Sequence, residues 1–251
     1  MSDQRVALVI GGGQGIGKAI AERFAREGDR VVVADLPSGQ AGAVAAAVGA
    51  RALDVDVTDE ASVIALFDNV MANEGRIDVV ANAAGILRFG TNLVDVSLAD
   101  WKAVLDVNLT GSFLCTREGA RRMRPHSDGS IVIISSGAAT IANQNQVAYN
   151  SSKAGLAHFV RSAAIDLCET GIRVNAVAPG PIESPMTRAF TPERLAYMAA
   201  GVPVGRLGRP EEVASAAYFL ASPEAGYISG EILAVDGALT VAGRLARNLP
   251  K

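Results

Sequence analysis

The chain of 251 residues contains two cysteines, two histidines and one tryptophan, and each scarcity removes a class of chemistry. Cys115 and Cys168 lie far apart in apolar-periodic segments, which argues against a disulfide framework or a metal-ligand cluster, and both are expected to be buried small hydrophobes. His126 follows the basic run Arg121-Arg122-Met123-Arg124, as cations at a helix C-terminus do, and His158 lies off the apolar stripe of its helix. Neither histidine has a partner at metal spacing, so no metal is expected. No block of like charge occurs, and a net charge of -3 leaves no basic stripe for nucleic acid. No apolar run approaches the roughly 20 residues of a membrane helix. Met1 to Arg5 is polar and the apolar run after it is too short for a signal-peptide core, so a cytoplasmic chain is expected. A sequence that is 49% hydrophobic and 20% charged suits one compact domain with a well-buried core.

Short apolar runs alternate with helical patterns. Val6 to Ile10, Val31 to Ala34, Val79 to Ala81, Ile131 to Ile134, Val174 to Ala178 and Ile232 to Val235 read as strands, with Ala52 to Val55 a weaker seventh. Continuous β-branched runs of this kind suit strands buried on both faces, and the segments between them are long enough for crossover helices. Leu156, Phe159, Val160, Ala163, Ala164 and Leu167 form a helical stripe, with Gly171 placed to cap its C-terminus. No linker or internal repeat divides the chain, which predicts one α/β domain with a parallel sheet between helical layers.

The first strand runs into Gly11-Gly12-Gly13-Gln14-Gly15-Ile16-Gly17, followed by a helix that carries Ile20 and Phe24 inward. Glycine permits positive φ and close approach of a ligand to backbone amides, and a helix N-terminus favours negative charge, so a dinucleotide pyrophosphate is the natural occupant. The bland alternative is a tight turn with close helix packing. The second strand ends in Asp35, with Leu36 beside it, about 20 residues beyond the glycines, where a carboxylate can hold both ribose hydroxyls of NAD and would repel a 2′-phosphate. Asp35 therefore favours NAD over NADP.

Tyr149 and Lys153 stand four apart at the start of the striped helix and share a face. An ammonium about 6 Å from a phenol, at an effective dielectric of about 20, contributes roughly 2.8 kcal/mol and is expected to draw the phenol from about 10 towards about 8. That suits an acid/base group. Only about 0.06 accidental pairs at this spacing are expected in a chain of this composition. Ser136 lies directly after the strand ending at Ile134, where its hydroxyl can hydrogen-bond a substrate oxygen.

Together these motifs resemble the short-chain dehydrogenase/reductase family over about residues 5–238. The glycine turn matches its cofactor loop, Asn82-Ala83-Ala84-Gly85 its Asn-Asn-Ala-Gly segment, Asn108 its helix asparagine, and Ser136, Tyr149 and Lys153 its catalytic residues. The resemblance implies a single Rossmann-like, doubly wound parallel sheet of about seven strands with helices on both faces. It further implies that Tyr149 exchanges a proton with the substrate oxygen, Ser136 stabilises that oxygen, and Lys153 holds the nicotinamide ribose. Asn108 would hold a water in a proton relay. Asp56 and Val57 would hold the adenine, while Pro179-Gly180-Pro181-Ile182 would flank the nicotinamide, Ile182 offering its backbone to the carboxamide.

Four positions depart from the family pattern. Ile10 replaces a threonine whose hydroxyl ties the loop to the Asn82 segment, and Ala83 replaces the second asparagine. Ser184 replaces a threonine after the Pro-Gly turn but keeps a hydroxyl, and Ala238 replaces a glycine, read as a minor backbone change.

Substrate recognition is expected from Ile86-Leu87-Arg88-Phe89, from Ala142 to Val147 with its polar quartet Asn143-Gln144-Asn145-Gln146, and from the lid-like segment Ser184 to Pro203, which carries Met186, Phe190, Leu195, Tyr197 and Met198. The reading is an NAD-dependent oxidoreductase of a secondary alcohol or the matching ketone, tilted by Asp35 towards oxidation. Two rivals stand beside it: an NADPH-dependent reductase of 3-oxoacyl thioesters and a non-catalytic NAD sensor. The family resemblance also implies a homotetramer built through the helices of Asn108 and Tyr149. The tail 243–251 is expected to be disordered or to reach a neighbouring subunit.

Overall fold

Every apolar run becomes a strand of one sheet. In the computed structural model the described residues are 4–126, 128–188 and 190–242, and the tail 243–251 lies outside them. The strands are β1 (Val6–Ile10), β2 (Arg30–Asp35), β3 (Arg51–Asp54), β4 (Val79–Asn82), β5 (Gly129–Ile134), β6 (Ile172–Pro179) and β7 (Ile232–Val235). They lie all parallel in the order β3-β2-β1-β4-β5-β6-β7.

Why the runs are apolar without alternation is visible in β1, which is buried along its whole length. Val6, Leu8 and Ile10 face one core, while Ala7 and Val9 face the other. The first core is closed by α3 (Glu60–Glu74), α5 (Gly111–Met123) and α6 (Val147–Asp166). The second is closed by α1 (Gly15–Arg26), α2 (Ala41–Val48) and α9 (Pro210–Ala221). Ile20 and Phe24 are fully buried in the second core, as their spacing requires.

The chain leaves β1 towards β2 and later returns to β4 on the other side of β1. That reversal opens a crevice at the carboxyl ends of β1 and β4, the usual ligand position in an open α/β sheet. The glycine turn and the Asn82–Gly85 segment occupy it.

Two local expectations are corrected. Cys168 is exposed, because α6 ends at Asp166 and the cysteine falls in the short 3-10 turn Cys168–Thr170 that follows. Gly171, at φ 74°, caps that turn rather than α6 itself. Cys115 is buried, and desolvation pushes its thiol up to about 12, so it is an inert core residue.

Ala238 is more than a minor change. It sits at φ 70°, in the left-handed region that penalises a Cβ, in the turn where the Asp236 carboxylate accepts from the backbone N–H of Ala238 and Thr240. Ala238→Gly relieves that strain and gives back part of the gain as chain entropy. Denaturant titration should show the variant more stable by about 0.5 kcal/mol; an unchanged or lowered midpoint contradicts the strain.

Candidate active site

The glycine turn is built by close backbone approach. Gly11, at φ 72°, lies so near Ala83 and Ala84 that a Cβ would sit 2.6 Å from the Ala84 nitrogen, and one on Gly17 would sit 1.9 Å from the Gly11 carbonyl oxygen. The loop loses a threonine hydroxyl at Ile10, yet the Ala83 N–H donates to the Ile10 carbonyl at 2.8 Å and holds the two segments together. Gln14 precedes α1 without a side-chain cap, which leaves the first-turn N–H groups available to an anion. Ile16 lies in that first turn. Across from it, a Cβ on Gly15 would meet Pro185 at 3.4 Å and Ser184 at 3.8 Å.

Asp35, at the end of β2, is held by two amides: Gly13 N–H donates to Oδ2 at 2.7 Å and Leu36 N–H to Oδ1 at 2.8 Å. The carboxylate is thus fixed against the glycine turn, while Leu36 remains exposed. After β3, the Asp56 carboxylate accepts from the amide and hydroxyl of Thr58, and Val57 is buried against Gly111. Uncapped N–H groups, a glycine cradle and a fixed carboxylate at the end of β2 fit a nicotinamide dinucleotide.

At the other end of the crevice, Gly180 donates to the Val235 carbonyl, Ile182 is buried and bridges to Gly208, and Pro179 closes β6. Thr187 is the residue that spacing did not single out. Its nearly buried hydroxyl donates to the carbonyls of Ile182 and Ser184 and accepts from the Ser184 N–H at 2.9 Å. Ser184 is therefore held by Thr187 through its backbone.

Asn108 sits fully buried in a π-helical turn, Asp106–Thr110, between α4 (Leu98–Leu105) and α5. Such turns occur often at functional sites because they re-aim a side chain and free backbone groups. The Asn108 amide accepts from Ile86 N–H at 2.8 Å and donates to the Ile86 carbonyl and to Ser152 Oγ at 3.0 Å each. Ser152 Oγ in turn donates to the Tyr149 carbonyl, Ser112 Oγ to the Asn108 carbonyl, and Asn82 Nδ2 to Ser112 Oγ. One buried chain of hydrogen bonds thus runs from Asn82 to the helix of Tyr149. Ser112 and Ser152 were not legible beforehand, since a serine inside a helix carries no sequence signal of its partner.

Ser136 accepts from Ala138 N–H, and its hydroxyl lies near enough to that of Tyr149 to favour the phenolate. Lys153 is 4% exposed, donates to the Ile134 carbonyl at 2.9 Å and lies 5.8 Å from the centre of the Tyr149 ring. A Cβ on Gly85 would press on Asn108 Oδ1 at 3.3 Å and come into ordinary contact with Lys153 Nζ at 3.6 Å. The expected lowering of the Tyr149 phenol by Lys153 is reversed. Burial raises Tyr149 above its usual range, opposed by the Ser136 hydroxyl, while desolvation lowers Lys153 to about 8. The correction has a physical cause: the distance estimate neglected desolvation of both groups, and the Lys153 ammonium is committed to a carbonyl rather than to the phenol.

A glycine cradle under a parallel sheet, beside a tyrosine, a serine and a buried lysine, defines an oxidoreductase of a nicotinamide cofactor. Comparison with known proteins agrees. A family model described as Enoyl-(Acyl carrier protein) reductase matches residues 11–240. Cis-4-hydroxycyclohexanecarboxylate dehydrogenase of Sinomonas cyclohexanicum is 44% identical over 242 residues, which is 94% of this chain and 97% of that one. The 3-oxoacyl-[acyl-carrier-protein] reductase FabG of Escherichia coli (strain K12) is 39% identical over 237 residues, again 94% and 97%. The crystal structure of gox2181 superposes with a TM-score of 0.92 at 38% identity, covering 96% of this chain and 97% of that one. The chain belongs to the short-chain dehydrogenase/reductase family.

Lys153 generates a stability prediction. Its folded pKa lies below its unfolded value of 10.5, so below pH 8 folding must bury a charge that unfolding releases to water. The unfolded state binds more protons between pH 8 and 10.5, and stability rises with pH across that window by up to roughly 3 kcal/mol. Denaturant titration should show wild type gaining on Lys153→Met over that window and not below it; parallel curves would contradict burial of the ammonium.

Proposed function

We propose that the protein is an NAD-dependent dehydrogenase of a secondary alcohol, also able to reduce the matching ketone. The observation that carries this reading is the Tyr149 hydroxyl beside Ser136 with Lys153 buried one helical turn further along. When bound, the nicotinamide supplies or accepts the hydride. In reduction Tyr149 gives its phenolic proton to the carbonyl oxygen, and in oxidation its phenolate takes the alcohol proton; Ser136 hydrogen-bonds that oxygen in both directions. Lys153 balances the phenolate charge and offers N–H donors to the nicotinamide ribose. The Asn108 backbone is the proposed water site linking Lys153 to solvent.

Gly11, Gly15 and Gly17 with Gln14 and Ile16 are proposed to cradle the pyrophosphate, and Asp35 with Leu36 the adenosine ribose. Asp56 and Val57 would border the adenine, Asn82 to Gly85 the central ribose, and Pro179, Gly180, Ile182 and Ser184 the carboxamide. The 44% identical relative supports a cyclic secondary alcohol bearing a carboxylate as the first substrate class proposed. The alternative, an NADPH-dependent reductase of 3-oxoacyl thioesters, is favoured by the Escherichia coli relative and opposed by Asp35. No described helix is long and apolar enough to cross a membrane, and a cytoplasmic location is proposed. Phe113 on α5 and Ile165 on α6 are exposed apolar residues on the two helices proposed to meet in a homotetramer.

Tyr149→Phe keeps the ring and loses the proton. It should retain dinucleotide binding by calorimetry and lose at least 10³-fold in turnover, whereas a dinucleotide sensor has no turnover to lose. Asp35 is tested separately by following nicotinamide absorbance with 4-hydroxycyclohexanecarboxylate and either cofactor. Wild type should favour NAD at least tenfold, and Asp35→Ser should erode that ratio by about tenfold. An NADPH preference together with turnover of a 3-oxoacyl thioester would establish the alternative.

A further inference from the structure

The three segments expected to meet substrate are tied to one another. Gly90 N–H donates to the Asn145 carbonyl at 3.1 Å, joining the segment after β4 to the polar quartet, and Asn150 donates to the Asn143 carbonyl at 2.8 Å, joining that quartet to α6. Asn145 itself sits at φ 58°, and Asn143, Gln144 and Asn145 are exposed with Gln146 half-buried, so the quartet is a shaped turn rather than a buried amide cluster. The lid-like segment contains two helices, α7 (Pro185–Arg188) and α8 (Pro192–Gly201). Tyr197 is 81% exposed, whereas Phe190 packs edge-on against Phe89 at 5.5 Å.

Arg194, on α8, completes that cluster. Its guanidinium carbon lies 4.1 Å from the centre of the Phe190 ring and 5.0 Å from that of Phe89. The two rings stand 84° apart, so the guanidinium can lie flat on at most one of them, and neither ring contact gives its N–H groups an oxygen acceptor. Among the described residues no carboxylate or carbonyl accepts from those groups; the neighbouring Glu193 carboxylate is taken up by Thr191 and by the backbone at the start of α8. Two other arginines are committed, Arg206 to both oxygens of Glu212 and Arg88 towards Asp100. A planar five-donor cation, oriented by two apolar rings and lacking a partner, matches a carboxylate carried on an apolar body.

We propose that Arg194 is the specificity-determining residue for a substrate carboxylate, with Phe89 and Phe190 packing against the hydrocarbon beside it. This rests on the dehydrogenase reading, since it places the carboxylate at the far end of the secondary alcohol that Tyr149 meets.

Two measurements decide it. Calorimetry of the protein saturated with NAD should show cyclohexanecarboxylate binding that weakens tenfold or more in Arg194→Gln and partly recovers in Arg194→Lys, which restores charge without the planar fork. In turnover, the preference for 4-hydroxycyclohexanecarboxylate over its methyl ester should collapse at least tenfold in Arg194→Gln, through KM rather than kcat. Absence of cyclohexanecarboxylate binding to wild type, equal binding to wild type and Arg194→Gln, or an unchanged acid-to-ester preference overturns the proposal. If alcohols are oxidised but the carboxylate is ignored, only the role of Arg194 fails. If no alcohol changes the nicotinamide absorbance, the dehydrogenase reading fails, and the calorimetric comparison still decides Arg194.

Discussion

A buried primary amide must satisfy both its oxygen and its nitrogen or destabilise the fold, and the rest of the site is arranged around the way Asn108 does so. Its oxygen and nitrogen clamp the backbone of Ile86 and reach Ser152, and its own carbonyl is taken by Ser112. Three separate pieces of chain therefore acquire fixed relative positions: the segment after β4, the π-helical turn and the helix of Tyr149. Because the bonds linking Asn108 to Ser152 and Ser112 are buried, removing either leaves its partner unsatisfied, which costs about 1–3 kcal/mol.

The same burial shapes the chemistry. Lys153 is drawn out of water to stand beside Tyr149 and beneath Gly85, and the resulting loss of hydration moves its pKa down by more than the lone carbonyl partner at Ile134 can restore. Stability is given up locally, and on the proposed mechanism this sets a cation beside the phenol that carries the negative charge. Neighbouring glycines are required on the same ground, since any side chain at Gly11 or Gly17 would enter backbone that has to stay in contact.

Substrate selection is proposed to lie on a different kind of structure. The proposed dinucleotide end rests on strand termini and a helix N-terminus, whose geometry the sheet dictates. The proposed substrate end rests on surface segments held together by a few contacts: one amide from Gly90, one aromatic pair and one guanidinium against both rings. Such segments can change occupant without disturbing the sheet, which is consistent with relatives whose names carry a hydroxycyclohexanecarboxylate in one case and a 3-oxoacyl group in another.

Residues 6–10, 31–34 and 131–134 declared themselves as buried strands because a strand covered on both faces has no polar alternation to hide it, and the glycine turn, Asp35 and the Tyr149–Lys153 pair were legible because their chemistry demands particular residues at short, fixed spacing. Local signals of that kind survive in one dimension. The bridging roles of Ser112, Ser152 and Thr187 did not, since each depends on a partner brought near by packing. The exposure of Cys168 depended on where α6 stops, and the ionisation of Tyr149 and Lys153 on how much water the finished fold excludes. The pairing of Arg194 with Phe89 spans more than a hundred residues. Sequence alone determined the sheet, the glycine turn and which residues are proposed to react; tertiary structure decided their solvation and their distant partners, because both are properties of the whole packed chain.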